Sequence, residues 1–169
     1  MGGWGAPACS GGGVVSLPTV EEVTGSLADG PRVSDWIEVR QSDMDGFAVC
    51  THDDDWMHTD PERARAEGFD GTIAFGFWTL SLLTALLRDT MGSEYPAGAR
   101  FGYNYGLDRV RFLRPIPVGG RVRGHVTVTD VREKDPGRFA VSIHVDVEVE
   151  GEEGVAMVAD WLVLFVYEE

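Results

Sequence analysis

The sequence predicts an α+β domain in which one antiparallel sheet wraps over a single buried helix. Three observations carry this. From Gly71 to Arg88 the chain holds eleven apolar residues, Ile73 to Leu87, with no polar face left between them. A helix that is apolar all round is covered on most sides. Beyond residue 106 the period changes to two. Phe139, Val141, Ile143, Val145, Val147 and Val149 alternate with Ala140, Ser142, His144, Asp146, Glu148 and Glu150, the pattern of a strand with one wet face. Finally, 169 residues, 43% of them hydrophobic and 25% charged, suit one core that needs no disulfide or metal to fold.

The elements follow in order. Residues 1–17 are rich in Gly and poor in side chains that pack, which reads as a flexible tail before one domain over 18–169. Ser42 with Asp45 three residues on is an imperfect capping box for a short helix to about Cys50. A second helix is punctuated by Asp60 as its cap, Pro61 in its first turn, Glu62 at its positive end and Gly68 as its stop. Between them lies His52 to His58, a polar connection enclosing Trp56 and Met57. After the buried helix, Gly92, Pro96, Gly98 and Gly102 predict a long mobile loop from Leu87 to Gly106, placed to flank a pocket. The strands are then Leu107–Phe112, Arg121–Arg132, Phe139–Glu150 and Ala156–Tyr167, with Asp135-Pro136-Gly137 turning the second into the third.

Charge and cysteine content narrow the function classes. Fourteen basic against 28 acidic residues give a net charge of −14, which opposes binding to a phosphate backbone or an anionic membrane. Neither nucleic acid nor membrane is expected as a partner. Cys9 and Cys50 are too few for a disulfide framework and lack zinc-site spacing. The start of the chain has no apolar signal-peptide core, and the run Val155–Tyr167 is too short to span a bilayer and contains Asp160. A cytoplasmic protein is the expectation.

Three features carry potential chemistry. Asp53 and His58, five positions apart in the connection between helices, are residue types that exchange protons near neutral pH and that together can hold a water. The plain alternative is a solvated acidic loop, Asp53 to Asp55, beside a packed histidine. A calcium loop starting at Asp53 fails, because it needs Gly where His58 stands and Glu where Ala64 stands. Gly76, between Phe75 and Phe77 near the start of the buried helix, offers a first-turn amide that can stabilise an oxyanion, or else simply allows close packing. Arg109, Arg111, Arg114, Arg121 and Arg123 supply five of the 14 basic residues within fifteen positions, either a phosphate-binding patch or a solvated strand face.

Three blocks in one order and spacing, Thr51-His-Asp53 to Ala64, Phe69-Asp-Gly-Thr-Ile-Ala-Phe-Gly76 to Leu83, and Asn104-Tyr-Gly-Leu-Asp-Arg109 to Gly119, resemble the MaoC-like dehydratases, close to their NodN-like branch. The similarity runs from about Thr19 to the C-terminus. It implies a hot-dog fold, usually dimeric, acting without a cofactor on acyl thioesters of coenzyme A or an acyl carrier protein. Family members hydrate a trans-2-enoyl thioester to the (R)-3-hydroxyacyl thioester or run the reverse dehydration. By position, the resemblance makes Asp53 and His58 the catalytic pair and Gly76 the oxyanion donor. Trp56, Phe75, Trp78, Asn104, Arg109 and Arg111 become candidate substrate contacts. His52, Phe75 and Trp78 depart from the family's usual Gly, His and smaller aliphatic residue, and each stands where it can reshape the pocket. Alternatives on the same fold are a thioesterase, a cyclase, or a non-catalytic acyl-binding subunit.

Overall fold

The computed structural model describes residues 16–27 and 30–167. Most of the expected tail, with Cys9, lies outside them, and Leu17 packs against the core. Helix α1 (Val20–Leu27) opens on a reciprocal capping box: the Thr19 N–H donates to Glu22 Oε2 at 2.7 Å, and the Glu22 N–H donates to Thr19 Oγ1 at 3.2 Å. Two short strands, β1 (Arg32–Val33) and β2 (Ile37–Glu38), precede α2 (Gln41–Thr51), α3 (Trp56–Thr59) and α4 (Pro61–Ala66). Asp60 caps α4 as expected, accepting from the Glu62 and Arg63 amides at 3.1 and 2.9 Å, with Pro61 in the first turn. Ser42, by contrast, is no cap: α2 begins at Gln41 after Arg40, and Ser42 lies within its first turn.

The single helix expected over Gly71–Arg88 is corrected in three respects. Residues 72–74 are extended, because their backbone is taken up by a distant segment: the Ala74 N–H donates to Ile116 O at 2.8 Å and the Val118 N–H to Thr72 O at 3.0 Å. Helix α5 (Gly76–Ser81) therefore starts only where that pairing ends. A tight turn at Leu82, whose N–H bonds three residues back to Thr79 O, divides it from α6 (Leu83–Met91). Nor is the helix buried all round: Trp78, Thr79, Leu83, Leu86 and Leu87 are covered, whereas Phe77 is 70% exposed.

The loop expected up to Gly106 is also shorter. Strand β3 (Phe101–Phe112) takes in Gly102 and Gly106. A side chain at Gly102 would meet the Phe165 ring at 2.9 Å, so this glycine permits close strand contact rather than marking a loop. β4 (Arg121–Asp135), β5 (Arg138–Val149) and β6 (Val155–Val166) complete a six-stranded antiparallel sheet in the order β1-β4-β5-β6-β3, with β2 also on β4. The β4–β5 turn falls at Pro136-Gly137 as expected, with Gly137 at φ 72°.

Along β5, Phe139, Val141, Ile143, Val145, Val147 and Val149 are all buried, so the alternation identified the inner face correctly. That face packs against the helices, and Gly124 on β4 permits the approach: a Cβ there would lie 2.8 Å from Leu86 Cδ1. The result is the sheet-around-helix arrangement of the hot-dog expectation. Among the described residues, no helix is long and apolar enough to cross a membrane.

Candidate active site

His58 is held on both sides along the chain. Upstream, α2 ends at His52 in the left-handed region, φ 59°, and Asp55 caps α3 by accepting from the Met57 amide at 2.9 Å. Downstream, the extended segment pairs back on α3, with the Ile73 N–H donating to Met57 O at 3.0 Å. Gln41 fastens the assembly from α2: its Nε2 donates to His58 O at 2.7 Å and its Oε1 accepts from Thr72 Oγ1 at 2.5 Å.

The imidazole itself is fixed twice. Its Nδ1 lies 2.8 Å from Ile73 O, and its ring stacks on Phe75 with centroids 3.8 Å apart at 32°. A carbonyl oxygen can only accept, so Nδ1 carries the hydrogen and Nε2 of the neutral ring is the basic nitrogen. His58 lines a cavity of about 390 Å³ with Ile73, Gly76, Thr79, Phe112 and Arg114 among its walls. Gly76 is the first residue of α5, where an amide has no intrahelical acceptor, and its N–H donates to no acceptor among the described residues. His58, with its Nδ1 committed to Ile73 O, and the first residue of α5 therefore line one largely apolar chamber.

The other expected residues are spread more widely. Asp53 is exposed, its carboxylate accepting from the Asp55 amide at 3.4 Å, and no hydrogen bond joins it to His58 among the described residues. Phe75 is buried under His58 and also packs on Phe47, with centroids 5.2 Å apart. Trp56 lies against Phe69 and under the Arg63 guanidinium, at 6.0 and 4.9 Å, packing α3 on α4. Trp78 is a member of the core. Asn104 lines a second cavity together with Phe77.

The arginine cluster divides. Arg121 pairs with Glu150 and Arg123 with Glu148, across strands and beside Trp36, so these two serve the sheet's wet face. Arg109, at φ 45° where β3 is irregular, pairs with Asp160. Asp160 also holds His144 Nδ1 at 2.6 Å. That bond raises the His144 pKa above its ordinary value and lowers that of Asp160. Arg114 is tied to Gly154 O and to Glu152 at 3.4 Å. Arg111 bonds only its neighbour's carbonyl, Val110 O, at 2.7 Å, with no acidic partner among the described residues. Gln41 and Thr79 had no sequence signal: each is defined by a partner far along the chain or by a cavity that only the fold creates. No group of three or more potential metal ligands occurs among the described residues.

A family model described as "MaoC like domain" matches residues 23–151. "Nodulation protein N" of Rhizobium leguminosarum bv. viciae is 40% identical over 151 residues, covering 85% of this chain and 92% of that protein. "3-hydroxyacyl-thioester dehydratase Z" of Mycobacterium tuberculosis is 37% identical over 151 residues, covering 89% and 98%. A solved structure titled as the monoamine oxidase regulatory protein of Archaeoglobus fulgius superimposes with a TM-score of 0.70 at 25% identity, covering 83% of this chain and 91% of that one. With the family match extending through α2 to α6 and most of the sheet, the chain belongs to the MaoC-like domain family.

Proposed function

We propose that the protein interconverts trans-2-enoyl and (R)-3-hydroxyacyl thioesters by adding or removing water. The observation that carries this is the tautomer of His58, whose Nδ1–H is committed to Ile73 O, which leaves Nε2 as the basic nitrogen of a residue that lines one largely apolar cavity with Gly76. In hydration, water oxygen bonds to C3, one of its protons passes to a base, C2 gains a proton, and the thioester oxygen carries enolate charge in between. His58 and Asp53, which lies on the connection leading into α3, share the two proton transfers. The Gly76 N–H receives the developing oxyanion, a role that typically contributes about 10²–10³ in rate. The 37% identity to a protein named 3-hydroxyacyl-thioester dehydratase Z supports the same chemistry.

Arg111, without an acidic partner among the described residues, is the cluster member free to meet the phosphates of coenzyme A or of a carrier protein. The functional unit in this reading is a homodimer. β3 is an edge strand of 12 residues with Tyr103, Tyr105, Leu107 and Phe112 exposed, and such an edge is normally covered. Its setting is the cytoplasm, where an exposed free Cys50 stays reduced.

The test is to follow one enoyl-coenzyme A substrate by loss of enoyl absorbance and, in parallel, by release of free thiol. Hydration predicts the first without the second. Release of free thiol in step with the loss of absorbance would make the protein a thioesterase instead.

A further inference from the structure

Two cavities of equal size, about 390 Å³ each, flank helix α5. One contains His58, Gly76, Thr79 and Phe112. The other is lined by Phe77, Leu80, Thr84, Asn104, Leu107 and Trp161 among its residues, none of them a formally charged side chain, in a chain of net charge −14. One ring from each cavity touches a ring of the other. Phe112 belongs to the first cavity and Phe77 to the second, and they meet edge-to-face with centroids 6.1 Å apart. Phe112 is itself held close to α5, since a Cβ on Gly76 would lie 3.2 Å from its ring carbons. Phe77 is 70% exposed.

We infer that the Phe77–Phe112 pair is a partition that limits the length of the acyl chain, and that the uncharged cavity behind it is the space a longer aliphatic chain would enter. This rests on the acyl-thioester reading above. A saturated hydrocarbon tail suits that second space because it buries apolar surface there without stranding a charge. The partition makes the native protein selective for short acyl groups, and its movable half is Phe77. Discrimination of this kind is steric, and each methylene that must be accommodated or rejected is typically worth about 10–200-fold.

The experiment compares wild type, Phe77→Ala and Phe77→Trp on four-, eight- and twelve-carbon trans-2-enoyl-coenzyme A substrates. Wild type prefers the four-carbon substrate. Phe77→Ala raises the ratio of twelve- to four-carbon kcat/KM by at least about tenfold, and Phe77→Trp does not. A ratio unmoved by Phe77→Ala overturns the partition. So does a uniform loss at every length accompanied by a change in oligomeric state, which would make Phe77 a contact for a second copy of the chain. Calorimetric titration with the saturated acyl-coenzyme A series separates this proposal from the chemistry. If no variant turns over but Phe77→Ala alone gains affinity for the twelve-carbon ligand, hydration fails and the partition stands. If affinity is indifferent to length in all three, the partition fails whatever the reaction.

Discussion

The Nδ1 of His58 and the carbonyl oxygen of Ile73, 2.8 Å apart, decide which imidazole nitrogen is basic. The substitution His58→Asn separates positioning from chemistry, because the asparagine amide nitrogen occupies nearly the place of Nδ1 and can still donate to Ile73 O. The expected outcome is a native circular dichroism spectrum and melting transition with kcat lowered by about 10²–10⁴. Activity retained in this variant would mean that Nε2 takes no part in proton transfer.

Gln41 bridges His58 O and Thr72 Oγ1 from α2, and Thr72 is buried. Gln41→Leu leaves the threonine hydroxyl without its acceptor, a cost of about 1–3 kcal/mol, read as a lower denaturant midpoint at an unchanged slope. Because the same change loosens α3 against the extended segment, kcat falls with KM little altered. Gln41→Glu, which keeps the acceptor for Thr72, recovers part of the stability.

How much of this was legible depends on the reach of each interaction. The Asp60 cap, the Pro136-Gly137 turn and the inner face of β5 depend on neighbours within a few residues, and the sequence patterns place them correctly. The Thr19–Glu22 box is equally local, although the sequence expectation begins its helices only at Ser42. The start of α5 was not legible, because residues 72–74 are held extended by the segment 116–118, a pairing that no local periodicity reports. In the site, the resemblance marked His58 and Gly76, and the fold brings both to one cavity. The hold of Gln41 on His58 crosses 17 residues, and the pairing of Arg121 and Arg123 with β5 carboxylates depends on strand register.

That register divides the arginines by function. Arg121→Ala and Arg123→Ala remove exposed or half-exposed ion pairs, which are typically worth about 0–1 kcal/mol, and leave the KM for an enoyl-coenzyme A substrate unchanged. Arg111→Ala raises KM more than it lowers kcat, since carrier binding is uniform along the reaction, and the difference shrinks with added salt. Steady-state kinetics at two ionic strengths check this. Equal KM values for all three variants would return Arg111 to the solvated face.

His144 lies between Asp160 on β6, Asp146 on its own strand and Thr127 opposite on β4, with Arg109 of β3 on the far side of Asp160. Its pKa is raised by the hydrogen bond to Asp160, so its charged form stabilises the fold. That contribution is full below the ordinary histidine value and is lost as pH rises through the raised one. The Asp160 pKa is lowered by the same bond, and its contribution is lost only as pH falls through that lowered value. Melting temperature should therefore decline from slightly acidic to slightly alkaline pH in the wild type and decline less in His144→Gln. Superimposable pH profiles would show that the network carries no linkage.

In the proposed reaction Asp53 and His58 act on one water, although the Asp53 carboxylate is exposed and makes no hydrogen bond to the imidazole among the described residues. A double-mutant cycle on enoyl-coenzyme A hydration, with Asp53→Asn, His58→Asn and the combined variant, tests it most directly. Asp54→Asn is the control, since Asp55 caps α3 and is not a neutral neighbour. The expected result is a large loss of kcat in each single variant, a double variant scarcely worse than the worse single one, and no loss in Asp54→Asn. Full activity in Asp53→Asn, or losses that simply multiply in the double variant, would contradict it.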